Sequence, residues 1–193
     1  MDVKEALEKR RAYRALGPAP IDKALMDELA GAARVMPSCF NNQPWKFVFV
    51  KSPEALAKVH ACLAKGNDWP KTAPLIIAAF ARKDYDCVLK EREYYLFDLG
   101  MAVAAVSLRA AELGLVAHPI AGFDNEKVRA ELGIPEGNLV LTLVIVGKKT
   151  DDLSALSKFQ ADQETGPRPA RLALENIYAV DKYDEALAAK PQR

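Results

Sequence analysis

The sequence predicts one domain that mixes helices and strands around a single core, on three observations. A chain of 193 residues, half of them hydrophobic, is long enough to bury about two-thirds of its surface or more. Leu75-Ile76-Ile77-Ala78-Ala79-Phe80 is short and wholly apolar, the pattern of a buried strand. Arg92 to Leu113 reads as one long helix, apolar on nearly all sides through Met101-Ala102-Val103-Ala104-Ala105-Val106. Such a helix belongs in the middle of a protein or at a subunit interface. No repeat or linker interrupts residues 1–193, which are expected to form one unit.

The elements follow in order. Residues 2–15 read as an amphipathic helix with Val3, Ala6, Leu7 and Tyr13 on its apolar side, stopped by Gly17-Pro18. Asp22 caps a second helix with Leu25, Met26, Leu29, Ala32 and Ala33 inward, and Pro37 ends it. Trp45–Val50 alternates as a strand; Ser52-Pro53 opens a helix that ends near Gly66. Pro74 introduces the buried strand, and Gly114 closes the long helix. A strand near Val116–Ile120, a helix from Asp124 to about Leu132, and the run Leu139–Val146 complete the core. Residues 150–171 are polar, and Asn176-Ile177-Tyr178-Ala179-Val180 looks like a last strand. A strand alone at a chain end has unpaired edges, and joining a neighbouring subunit is one remedy.

Composition excludes several classes of function. A net charge of +1 gives no global attraction to nucleic acid or an anionic membrane, so anions must be held by a local cluster. No apolar run approaches the ~20 residues of a membrane helix. Met1-Asp2-Val3-Lys4-Glu5 is too charged to start a signal peptide. Three cysteines without close pairing fit a reducing compartment better than a disulfide framework, and the chain reads as cytoplasmic.

Two local features carry chemistry. Arg10 and Arg14 are four apart, on one face of the expected helix with Arg11 alongside. Like charges at that spacing repel. They either complement a helix C-terminus or wait for a phosphate, which accepts charge-assisted hydrogen bonds. The second feature is Pro37-Ser38-Cys39-Phe40-Asn41-Asn42-Gln43-Pro44-Trp45. Asn and Ser suit a capped turn, but the amides of Asn41 and Gln43 also offer donor and acceptor together, matching the mixed edge of a flat heterocycle.

With Arg10-Arg11-Ala12-Tyr13-Arg14, that segment resembles the FMN-dependent nitroreductase family, with its RRSxR-like start and PSxxNxQPW-like turn. Ala12 stands where the family usually has Ser, and Ala104-Ala105 replace a common Gln-Asn pair in the central helix. The resemblance extends over roughly residues 5–183. It implies an α+β, three-layer fold with a mostly antiparallel central sheet flanked by helices, and an intertwined homodimer with an exchanged C-terminal strand. It implies FMN, with Arg10 and Arg14 on its phosphate and Arg171, or secondarily Arg168, returning from the tail. By the same resemblance Arg11, Pro37, Ser38, Cys39, Asn41 and Gln43 lie at the cofactor. Asn67 contacts the ring, and the Ala121-Gly122 loop brings a backbone N–H to flavin N5. Arg10, Arg11 and Arg14 act from one subunit, and Ser38, Cys39 and Asn41 from the other. The implied activity takes two electrons from NADH or NADPH to a nitroaromatic, a quinone or a similar small acceptor by a ping-pong route. The alternative is a flavin carrier, sensor or flavin-modifying protein without that turnover. Trp69, Tyr94, Tyr95 and Phe123 either wall the acceptor pocket or belong to the core.

Other motifs are set aside. There is no GxGxxG or GxSxG, and Gly147-Lys148-Lys149-Thr150 lacks the upstream glycine of a P-loop because Thr142 stands there. His60 and Cys62 are two apart, the wrong spacing for a shared helical face and hence for a metal. A Cys39–His118 nucleophilic pair lacks a third orienting group.

Overall fold

Asp2 accepts from the N–H of Glu5 and opens helix α1 (Val3–Lys9). In this computed structural model, which describes residues 1–191, α1 ends well before Gly17, at Arg10. The last two residues of the expected 1–193 unit lie outside the described ones. Residues 10–15 run extended because tertiary partners take their backbone groups. The carbonyl of Tyr13 meets His118 Nδ1 at 3.0 Å, and the N–H groups of Arg14 and Ala15 donate to the Glu164 carboxylate at 2.9 and 3.0 Å. Ala15 O accepts from Thr150 N–H at 2.9 Å, leading into the short strand β1 (Leu16–Gly17).

Helix α2 (Lys23–Arg34) is capped by Asp22 as its sequence dictates. Strand β2 (Lys46–Val50), helix α3 (Pro53–His60) and strand β3 (Leu75–Arg82) follow. A small hairpin, β4 (Val88–Leu89) with β5 (Arg92–Glu93), leads into the central helix α4 (Tyr94–Glu112). Then come β6 (Val116–Ile120), α5 (Asn125–Glu131), the long β7 (Asn138–Lys149) and α6 (Lys158–Thr165).

Every pairing in the main sheet is antiparallel. Strand β7 is its spine, with β3 along one edge and β6 then β1 along the other; β2 pairs the far side of β3. A register shift between Ala79 and Phe80 places Thr142 and Val140 opposite them, leaving Leu141 as the extra residue. Residues 75–79 are fully buried because both faces of the sheet are covered. Leu75, Ile77, Ala79, Val144 and Val146 pack under α2 and α4, against Leu29, Leu99, Ala102 and Val106. Ile76, Ala78, Leu143 and Ile145 face the other way, toward Val59, Trp69 and Val128. Alternation along a strand produces these two cores and three layers.

The structure corrects three expectations and adds one element. The first helix stops at Lys9 rather than 15, so Arg10 and Arg14 do not share a helical face. The polar stretch 150–171 contains α6, opened by a reciprocal cap between Ser157 and Gln160. Residues 176–180 form no strand in the single chain: a 3₁₀ turn at Leu174–Asn176 precedes them and no sheet edge lies alongside. Helix α4 does reach the length and apolarity of a membrane span; in the fold one side of it packs on the sheet, with Asp98 buried on it.

Candidate functional site

The first cluster is cationic. Arg10 is half-buried, and its guanidinium is held below its ordinary pKa, first by burial and then by the charges of Arg168 and Arg171. The chain's tail therefore brings Arg168 and Arg171 to the start of the chain. Arg168 Nη2 donates to the carbonyl oxygens of Glu8, at 2.7 Å, and Arg10, while Arg14 Nη1 donates to Gln163 Oε1 at 3.1 Å. Among the described residues, none of Arg10, Arg14, Arg168 and Arg171 is ion-paired to a carboxylate. Arg11 is different. Its Nη2 donates to the carbonyls of Gln163 and Gly166 at 2.7 and 2.9 Å, where α6 ends, and its guanidinium lies 4.9 Å from the centroid of the Tyr13 ring. Arg11 fastens α6 to the arginine segment, because helix C-terminal carbonyls attract cations.

Glu164 organises this cluster and escaped the sequence reading. It is 6% exposed, and its two oxygens hold the N–H groups of Arg14 and Ala15. A carboxylate accepting backbone N–H groups in a dry setting is a strong, oriented anchor. Nothing in local spacing links residue 164 to residue 14. The capping pair Ser157-x-x-Gln160 was the one signal for the helix that carries it. His118 stacks on Trp69 at 4.8 Å between centroids. Burial pushes its imidazole below the usual range, so it stays neutral and pins Tyr13. Trp69 and Tyr95, 1% and 8% exposed, belong to the core and do not wall a pocket.

A second pair is formed by Asn67 and Gly122, two residues expected at the flavin ring. Asn67 Nδ2 donates to Gly122 O at 3.0 Å, and Ala64 N–H donates to the same oxygen at 2.9 Å. A Cβ on Gly122 would sit 2.0 Å from Asn67 Nδ2, so any larger residue there must displace the Asn67 amide from its bond to Gly122 O. Ala121 O accepts from Phe123 N–H. Gly122 N–H donates to no group among the described residues. Gln160 Nε2 donates to Gly66 O at 3.4 Å, which brings α6 to this loop as well.

The amide turn is the third part. Phe40, Asn41 and Gln43 have φ of 48°, 60° and 49°, the left-handed region that costs a non-glycine residue about 1 kcal/mol or more. Surrounding bonds enforce it. Ser38 Oγ accepts from Gln43 N–H at 2.9 Å, Gln43 Nε2 donates to Asn41 Oδ1 at 3.2 Å, and Cys39 N–H donates to Asp98 Oδ2 at 2.8 Å. Pro37 and Asn41 are exposed. Cys39 is joined to Cys87 by a disulfide, with Cα atoms 6.2 Å apart, which corrects the expectation of unpaired thiols. The β4–β5 hairpin folds Cys87 back onto the turn across 48 residues, a closure no local spacing reveals. The bond also removes Cys39 as a nucleophile. Cys62 is free and buried.

Asp98 is 1% exposed, and its carboxyl is pushed above the usual range, chiefly by burial and further by the neighbouring Asp86. Asp86 Oδ2 is buried without a partner; a proton on Asp98 supplies the missing donor. The folded chain thus binds this proton more tightly than the unfolded chain. Stability falls as pH rises from about 3.9, the unperturbed aspartate value, through the raised folded value. Asp98→Asn keeps an acceptor for Cys39 and a donor for Asp86. We expect it to add about 1 kcal/mol at neutral pH and flatten that pH slope, measured by denaturation at pH 4 to 8; a slope equal to the parent's refutes the assignment.

One chain does not bring all these residues together. Cys39 contacts α4 at Asp98, whereas Arg10, Arg11 and Tyr13 border a cleft of about 100 Å³ with Ala111 and Gly114 at the other end of that helix. Thirteen residues of helix separate the two places by ~20 Å.

Residues 7–68 and 53–148 match the model of the Nitroreductase family. The chain is 31% identical over 134 residues to an uncharacterised 15.4 kDa protein of Mycolicibacterium smegmatis, covering 69% of this chain and 88% of that one. It is 27% identical over 183 residues to an NADH dehydrogenase of Thermus thermophilus, covering 79% and 89%. Its fold is similar to a crystal structure described as an oxidoreductase containing FMN, with TM-score 0.82, 27% identity, and 95% and 94% of the two chains covered. The arginine start, the amide turn and the central helix are thus parts of a known scaffold: the chain belongs to the nitroreductase family.

Proposed function

We propose that this chain is an FMN-dependent oxidoreductase that moves two electrons from NADH or NADPH to an electron-poor acceptor such as a nitroaromatic or a quinone, by a ping-pong route. The carrying observation is the uncompensated arginine cluster. Arg10 is half-buried beside Arg168 and Arg171 with no carboxylate partner among the described residues, an arrangement that a phosphate completes with charge-assisted hydrogen bonds. The residues fit the rest of the cofactor. Arg10, Arg14 and Arg171 hold the phosphate, while Arg168 and Arg11 brace the segment. Pro37, Ser38, Cys39, Asn41 and Gln43 present a short polar turn to the ring. Asn67, Ala121 and Gly122 offer the ring an amide and an unspent backbone N–H. Bound FMN supplies the two-electron chemistry, and the chain supplies binding, orientation and electrostatics. No side chain has to transfer a proton.

The same geometry supports a homodimer. The turn and the arginines lie at opposite ends of α4, so the arginines of one chain and the turn of another make one complete site. Helix α4 exposes Phe97, Gly100 and Ala104, and the tail exposes Leu174, Ile177, Tyr178 and Val180. These are apolar surfaces for a second copy to cover.

The test is a purified sample: it should be yellow, twice the chain mass by light scattering, and able to oxidise NADH or NADPH when FMN and a nitroaromatic or quinone are present. A colourless sample that oxidises neither overturns the reading. Yellow protein whose flavin neither nicotinamide reduces favours flavin carriage or sensing instead.

A further inference from the structure

We infer that Cys39 and Cys87 are a reversible dithiol–disulfide site, opened by small dithiols and by thiols of the glutathione class, that fastens the amide turn to the hairpin in front of α4. The two residues are half-buried, whereas Cys62 is 4% exposed. The hairpin they secure forms a two-stranded sheet of its own, apart from the main sheet, and isolated hairpins are marginal in water. Apart from the disulfide, Asn42 Nδ2 reaches Asp86 Oδ1 at 3.1 Å, and Cys39 N–H reaches Asp98. The bonds of Gln43 to Ser38 and Asn41 lie within the turn itself, so these are few ties between the rest of the fold and a turn holding three residues at positive φ. Cutting the covalent one lets that strain relax.

The exchange is defined by the surroundings of the two sulfurs. An external thiolate attacks Cys39 Sγ, the S–S bond breaks, and Cys87 leaves as a thiolate toward which Asn42 Nδ2 donates at 3.7 Å; it then takes up a proton. The second thiol of the reductant, or a second monothiol, resolves the mixed disulfide and releases Cys39. Two electrons and two protons pass to the cysteines, and the reductant becomes a disulfide. The Asp86 carboxylate lies within 4.8 Å of both sulfurs.

Opening the pair frees residues 38–43, the residues assigned above to the flavin ring. The resulting loss of cofactor affinity rests on that assignment; the thiol chemistry does not.

Intact mass after denaturing alkylation reads the site directly. Protein equilibrated with oxidised glutathione should carry one adduct, on Cys62. After native treatment with dithiothreitol and quenching, it should carry three. Three adducts in the first sample, or one in the second, overturns the proposal. Hydrogen exchange at the Cys39 and Gln43 amides should quicken at least tenfold on reduction, and Cys87→Ser should match the reduced parent without reagent; unchanged exchange in both overturns the clamp. Titration with FMN should show at least threefold weaker binding to the reduced form. Failure of both forms to bind FMN counts against the flavin reading alone, and adduct counts and exchange still decide this one.

Discussion

Glu164→Ala is expected to destabilise the protein by about 3 kcal/mol, because each of two backbone N–H groups loses a charge-assisted bond of about 1.5–3 kcal/mol. For a chain of this size that is a fall in Tm of roughly 6–12 °C. Glu164 is 6% exposed and holds Arg14 and Ala15 by their backbones, so no water replaces the carboxylate without rearrangement. The damage should spread to the site, since the extended course of residues 10–15 depends on this anchor. Glu164→Gln keeps one carbonyl acceptor and should lose about half as much. Calorimetry on the three proteins checks this, and an alanine variant that melts with the parent refutes the anchoring role.

Arg10→Ala should separate binding from stability. Its guanidinium sits beside two other arginines with no carboxylate partner among the described residues, so removing it relieves repulsion in the cofactor-free protein. That form should melt no lower than the parent. FMN affinity should fall 10- to 100-fold, the loss of one charge-assisted contact of about 1.5–3 kcal/mol. Arg11→Ala should behave in the opposite way, lowering Tm because its guanidinium holds carbonyls at the end of α6. Fluorescence titration and thermal melts on both variants decide the matter. An Arg10 variant that melts early but binds FMN normally reverses the assignment.

Much of the fold was legible because its signals are local. Asp22, Ser52 and Asp124 cap their helices by bonding an N–H three residues on, and a strand expected near Val116–Ile120 is β6. Strand β3 was legible because a strand buried on both faces must be apolar at every position. The site was legible in part. Asn67 and Gly122, both singled out for the ring, bond to each other, and Arg168 and Arg171, singled out for the phosphate, lie near Arg10. Arg11 neighbours Arg10 and Arg14 in the sequence, but its bond to the end of α6 spans 152 residues and leaves no local signal. The first helix was drawn too long because Tyr13 fits a helical period, whereas His118, Glu164 and Thr150 compete for the same backbone.

The amino-acid order alone determined the elements, the apolar face of each, and the arginine and amide motifs, since propensity, capping and periodicity act over a few residues. Only the tertiary structure decided how residues 10–15 run, that Cys39 meets Cys87, and that Asp98 lies buried beneath the turn. Those outcomes depend on groups 48 to 150 residues apart. Their pairing follows from chain closure and desolvation across the whole fold, and neither leaves a mark on local spacing.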